Sequence, residues 1–247
     1  MKILVCIDDT DNIDSIGTGD IAVMITKEIT DRGWGNTEGV TRHQLLIHPD
    51  VPYTSHNSSM CFVADVDRSC LDSLTACCGD LLVRESAEGS DPGLCITVVD
   101  RLANPELLIE FGRKAKEAVL TKDEAYSMAE QLGVHLSEHG GTGQGVIGAL
   151  AGVGLRLTGN DGRFKGKHKI TAAENIATVR EILAQTNIDE VRTIEGAVLD
   201  DEVKVSLGDK VKSVLLDNRN VLLVCPAENE TDVVKWQVCS MKYLKKH

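Results

Sequence analysis

Over the first hundred residues, the spacing of apolar side chains switches between the strand period of two and the helical period of about 3.6. Ile3, Val5 and Ile7 alternate through KILVCID, and Ile21, Met24, Ile25 and Ile29 then recur at helical spacing as far as Gly33. HQLLIH (43–48) and SMCFVADV (59–66) read as two further strands, joined by the turn-rich PDVPYTSHNS. Leu71, Leu74, Cys78, Leu81 and Leu82 mark a second amphipathic helix, and LCITVVD (94–100) a fourth strand. The order β-α-β-β-α-β predicts an α+β fold built on a ferredoxin-like βαββαβ unit.

The first strand runs directly into four aspartates in seven residues, Asp8, Asp9, Asp11 and Asp14, and then into Gly17-Thr18-Gly19 at the head of the next helix. Clustered carboxylates repel one another and call for a cation or an exposed turn. Mg²⁺ takes one or two carboxylates and leaves its other positions to water and phosphate oxygens. A glycine-rich helix start offers free backbone N–H groups to an anion. Metal ligands beside a phosphate cradle are the two halves of a nucleotide site, at the end of a strand where α/β sheets collect ligands. An exposed Asp-rich turn is the plainer alternative.

Further along, Asn104-Pro105 opens a helix through Leu107, Leu108, Phe111, Ala115 and Val119, and Thr121 with Glu124 forms a capping box for another that ends at Gly133. A second glycine-rich loop, HGGTGQG (139–145), places Gly140, Gly141, Gly143 and Gly145 ahead of the apolar VIGALAGVGLRL. Neither loop has Walker A or dinucleotide-binding spacing. Residues 171–185 read as helical. From about 191 the chain turns to short β-like runs separated by DD, GD and DN turns, which predicts a small β meander or barrel. The expected domains are therefore 1–189 and 190–247.

Composition narrows the function. At 42% hydrophobic and 26% charged, the chain reads as an ordinary globular protein. No apolar run reaches the ~20 residues needed to cross a bilayer. The start turns acidic too soon for a signal peptide, so a cytoplasmic location is expected, with no membrane partner. Eight cysteines show no C-x-x-C pair and mostly sit inside apolar runs, as buried small hydrophobes do. The histidines and serines carry no metalloprotease or hydrolase grammar. A net charge of −12 argues against a broad nucleic-acid footprint, with RFKGKHK (163–169) the local exception.

Five motifs in order resemble the archaeal tRNA-isoleucine agmatinylcytidine synthetases (TiaS): CIDDTDN at 6–12, IGTGD at 16–20, HPDVPYTSHNS at 48–58, SDPGL at 90–94 and GQGVIGALAGVG at 143–154. The resemblance covers roughly residues 1–165. It implies a TiaS kinase-like domain that uses ATP and Mg²⁺ to activate an oxygen for attack by an amine. Asp8, Asp9 and Asp11 would be the metal and catalytic carboxylates, and Thr18 would align with a phosphate-accepting threonine. Thr10, Gly17, Gly19, Asn57, Gly141, Gly143, Gly145 and Gly148 would face nucleotide or substrate phosphate. The chain departs from the family in having GTG for CTT, His56-Asn57 for Gly-Asn and GQG for GRG, and it has no zinc ribbon.

Three readings follow. The first is an ATP-dependent ligase or kinase-like enzyme that transfers a phosphoryl or adenylyl group to a small-molecule or RNA acceptor. The second is an ATP-binding regulatory protein without catalysis. The third is a genuine tRNA cytidine-modifying enzyme, held to tRNA by RFKGKHK and the C-terminal β module. The sequence leaves the acceptor and the oligomeric state open.

Overall fold

The alternating apolar residues of the first strand are buried on both of its faces, so layers of structure must cover it from two sides. The computed structural model describes residues 1–51, 57–228 and 234–244. Two compact units emerge, Met1–Thr158 and Gly159–His247.

The first unit runs β1 (Lys2–Asp8), α1 (Thr18–Asp31), β2 (Gly35–Thr37), β3 (Thr41–Gln44), β4 (Ser58–Val66), α2 (Leu71–Glu85) and β5 (Gly93–Val98). It continues with α3 (Pro105–Lys114), α4 (Lys122–Leu132), β6 (His135–Glu138) and α5 (Gly145–Leu157). The sheet order is β6-β5-β1-β4-β3, antiparallel throughout, with β2 also paired to β4. Ile3, Val5 and Ile7 of β1 pack with Ile21, Ile25 and Ile29 of α1 and with Leu74 and Leu82 of α2. Leu4 and Cys6 point the other way, into a core shared with α3, α4 and α5. By the same alternation Asp8, at the end of β1, belongs to the face that α5 covers.

α5 is buried on every side, as a helix apolar all round should be. Its glycines are where its neighbours come closest. A Cβ on Gly152 would strike Ser59 and Cys6, one on Gly148 the Asp8 carboxylate, and one on Gly154 the Leu108 carbonyl of α3. Gly112 of α3 approaches from the other side, its would-be Cβ 2.7 Å from the Ala151 carbonyl. Beneath this helix Cys6 sits directly across from Cys61 and Cys95 on the flanking strands, three buried free thiols in one row.

The second unit holds β7 (Arg163–Phe164), β8 (Ile176–Thr178), α6 (Val179–Gln185), β9 (Glu190–Thr193), β10 (Lys204–Ser206), β11 (Val214–Leu216), β12 (Arg219–Pro226), β13 (Trp236–Val238) and α7 (Met241–Leu244). Its strands run β7-β11-β12-β13-β10-β8, with β9 beside β12. The β9–β12 and β10–β13 pairs are parallel, so the order is not that of a plain meander.

Several expectations shift at their edges. Residues 159–189 group with the second unit because Ala177, Val179, Ile182 and Ile188 bury themselves with Val191, Val205 and Leu222. The helix expected over 171–185 starts only at Val179. Glu174 and Asn175 take positive φ, Ile176–Thr178 pairs as β8, and the Thr178–Glu181 capping box starts α6. The strand expected at 43–48 lies at Thr41–Gln44, because the Leu46 N–H turns away to the Ala115 carbonyl. α3 ends at Lys114 in a series of turns rather than at Val119, and Asn104 makes no side-chain cap, which leaves Pro105 to start the helix. The Thr121–Glu124 box and the left-handed Gly133 cap are as expected. No helix among the described residues is long and apolar enough to cross a membrane.

Because α5 and α3 touch through backbone at Gly154, Gly154→Ala should cost about 1–3 kcal/mol, the usual range for overpacking a tight core. Urea denaturation of the two proteins measures it.

Candidate functional site

At the end of β1 the chain bends sharply. Asp9 takes a left-handed conformation, φ 53°, which few non-glycine residues adopt. The bend leaves Asp8 buried, Asp9 half-buried, and Thr10 buried with its hydroxyl making no hydrogen bond among the described residues. The Thr10 carbonyl accepts from the Ala87 N–H beyond α2 and so ties the bend down. Asp11 then faces the start of α1, where it accepts a 3.3 Å hydrogen bond from the Thr18 hydroxyl. Gly17 is the N-cap of α1 and lies against both Asp11 and Asp20, with its would-be Cβ 3.7 Å from each carboxylate. Thr18 and Gly19 follow it as buried residues of the first turn, whose N–H groups have no partner within the helix.

The second glycine loop comes to the same corner. Gly145, first residue of α5, donates its N–H to the Asp91 carbonyl, and its would-be Cβ lies 2.9 Å from the Asp8 carbonyl. Gly148, one turn on, leaves room for the Asp8 carboxylate itself. Gly141 (φ 57°) and Gly143 (φ 76°) are left-handed, and side chains there would run into Asp91 and Glu138. Asp91 joins the two loops: its carboxylate accepts from the Thr142 N–H and hydroxyl, and its own N–H donates to the Asp9 carboxylate. Lys122 braces the loop from α4, donating to the Thr142 carbonyl at 2.7 Å and pairing with Glu138 at 2.6 Å.

Crowding acts on the charges. Burial, with Asp9 and Asp11 nearby, pushes the Asp8 carboxyl up to about 8. Burial, with Asp91 and Asp11 nearby, lifts Asp9 to about 6. Carboxylates held this close are what a cation would relieve. Among the described residues no three His, Cys, Asp or Glu side chains converge as a ready metal cage.

The structure therefore brings Asp8, Asp9, Thr10, Asp11, Gly17, Thr18, Gly19, Gly141, Gly143, Gly145 and Gly148 to one corner of the first unit. Asn57 does a different job where it is seen. Its amide donates to the Leu46 carbonyl at 2.7 Å, and its own carbonyl accepts from Leu45 and Gln44, which clasps the end of the β3–β4 pair. His56, read with it, lies outside the described residues. The residue that sequence reasoning passed over is Asp91. Its motif, SDPGL, was matched, but nothing in the residue type shows that it would join two loops.

Comparison with solved structures finds the crystal structure of a tRNA fluorescent labeling enzyme at 28% identity and TM-score 0.54. A complex of TiaS with tRNA and ATP matches at 27% and 0.54, and a complex of TiaS with tRNA, AMPCPP and agmatine at 26% and 0.52. Each match covers 62% of this chain and 36% of that chain, so the similarity spans little more than a third of those proteins. No protein-family model and no curated protein matches the sequence. The chain is similar to part of TiaS, and to part only.

Proposed function

We propose that the first unit binds ATP with Mg²⁺ and transfers a phosphoryl or adenylyl group to an acceptor oxygen, which an amine then displaces. The acceptor is an RNA nucleotide or a small molecule. The observation that carries this reading is the meeting of the acidic corner with the second glycine loop, at the Asp8–Gly148 contact and through Asp91. The order β5-β1-β4-β3, with α1 and α2 on one face, is read as a ferredoxin-like unit that presents this corner.

Of Asp8, Asp9 and Asp11, one or two would hold the cation directly, and when bound it would supply charge neutralisation for phosphate. Asp9 is kept in place by the Asp91 N–H. Asp11 stands within reach of the Thr18 proton, as a base beside a hydroxyl that accepts a group would. The unpaired N–H groups of α1 and the left-handed glycines 141 and 143 offer backbone to phosphate oxygens without side chains in the way. Positioning and charge are most of what phosphoryl transfer needs from a protein.

One observation favours the second reading, an ATP-binding protein without catalysis. Gln144 stands where the family has arginine, and the nearby Lys122 is already engaged by Glu138 and the Thr142 carbonyl. No spare cation from this loop would then meet charge developing on the transferred group. ATP bound without any Mg²⁺-dependent turnover would select that reading.

Three measurements test the site. Asp9→Ala should abolish Mg²⁺-dependent ATP turnover while circular dichroism stays that of the parent; equal turnover would remove the enzyme reading. Gly148→Ala drives a methyl into the Asp8 carboxylate and should lower turnover at least about tenfold, the effect expected of a small misplacement in a positioned site. The third is pH-dependent stability in chelated, metal-free buffer. Folded Asp8 keeps its proton to about pH 8, whereas in the unfolded chain it loses it near the ordinary carboxyl value of about 4. The folded state thus binds more protons between those limits, and stability falls as pH rises through them. Asp8→Asn should flatten that fall and be more stable than the parent at pH 8 by about 1–3 kcal/mol, read from urea midpoints. Added Mg²⁺ should raise the parent's midpoint at pH 8 and leave that of Asp8→Asn unchanged.

A further inference from the structure

The acidity of this protein is not evenly spread. Residues 1–158 carry 12 Lys and Arg against 24 Asp and Glu, whereas residues 159–247 carry 14 of each. The whole net charge of −12 therefore belongs to the first unit. Within the neutral second unit, positive charge gathers on two neighbouring segments, RFKGKHK (163–169) and KVK (210–212).

The fold sets these segments side by side. Arg163 pairs with Val214, and His168 bridges antiparallel to Val211, with the His168 N–H on the Val211 carbonyl at 3.0 Å. The His168 ring meets the Ser213 hydroxyl at 2.8 Å, which fixes that side of the pair. The bridge puts Lys167 and Lys169 on either side of His168, and Lys210 and Lys212 on either side of Val211, so four lysines flank one point of pairing. Like charges brought together across a strand pair repel one another. Lys167, Lys169 and Lys210 are exposed, and among the described residues they make no hydrogen bond or ion pair. In the sequence Asp209 precedes Lys210, and Asp161 stands two residues ahead of Arg163.

Such an arrangement is stabilised by an anion that repeats along its length. Lys167 and Lys169 lie two residues apart, about 6.6 Å along an extended chain, comparable with successive phosphates on a nucleic-acid backbone. Gly166, just before Lys167 and at φ 96°, has open space where a side chain would be, so a backbone can come close. None of the large apolar side chains exposed among the described residues lies in either segment. A membrane surface or a protein partner would ordinarily ask for apolar contact there. An RNA phosphate backbone would not, since charge alone supplies sequence-independent binding.

We infer that the paired lysine segments 163–169 and 210–212 of the second unit form a surface that holds the phosphate backbone of RNA. This goes beyond the proposed function and does not depend on it.

The test is binding of unmodified total tRNA over a range of KCl, for the parent and for the K167Q/K169Q/K210Q variant, with ATP binding by calorimetry on both. The parent's log affinity should fall linearly with log salt. The variant should bind at least about tenfold more weakly at low salt, with a slope shallower by about two units, since each lost phosphate contact removes about 0.7–0.9. Without RNA the variant should melt no lower than the parent, because the substitutions remove repulsion. Parent-like affinity and slope in the variant would overturn the surface while leaving ATP binding, and so the proposed function, standing. Loss of phosphatidylserine-vesicle binding with tRNA binding intact would overturn it in favour of a membrane surface. Weakened tRNA binding by the variant, with no ATP bound by the parent, would support the surface and remove the nucleotide reading.

Discussion

The closeness of α5 to β1 governs the first unit. Successive turns of the helix present Gly148 and Gly152, and alternate residues of the strand present Asp8 and Cys6. A helical turn rises about 5.4 Å and two strand residues about 6.6 Å, so the two rows stay nearly in step. Without side chains at those two positions, helix backbone rests on the sheet and the space beneath it excludes water. That one contact sets the position of the second glycine loop, whose end is the start of α5. It also sets the environment of Asp8, a carboxyl that could remain in a bulkier layer only by turning out to solvent. The corner's chemistry is a consequence of packing.

Much of this was legible along the chain. Alternation in KILVCID fixes which residues of β1 face which layer, and the glycines ahead of VIGALAGVG announce a helix start. Where reading failed, the information lay in backbone conformation or in distant partners. Asn175 is of a type that enters left-handed turns more readily than most, but Glu174 is not, and neither interrupts the apolar spacing that suggested a helix. β2 and β6 are short and largely polar, so no period of two rises above the background. Asp91 acts through its N–H and carbonyl as much as through its carboxylate, and a sequence displays only the last of these.

Net charge is a coarse guide for a different reason. A total of −12 describes no surface, since it averages an acidic unit with a balanced one. Charge counted by folded unit gives a sound argument about partners, but the unit boundary must be known first. Here the boundary at 158/159 rather than near 189 puts RFKGKHK in the second unit, beside the lysines of 210–212.

The bend at Asp9 has an implication for how such a corner is kept. Glycine would adopt φ 53° at no steric expense, whereas an L-residue in that region gives up about 1 kcal/mol. A chain optimised only for durability would carry glycine there. With aspartate in that position, backbone strain and side-chain charge are tied to one residue, so a change to glycine would relax the bend and take away one of the carboxylates that crowd Asp8 in the same step.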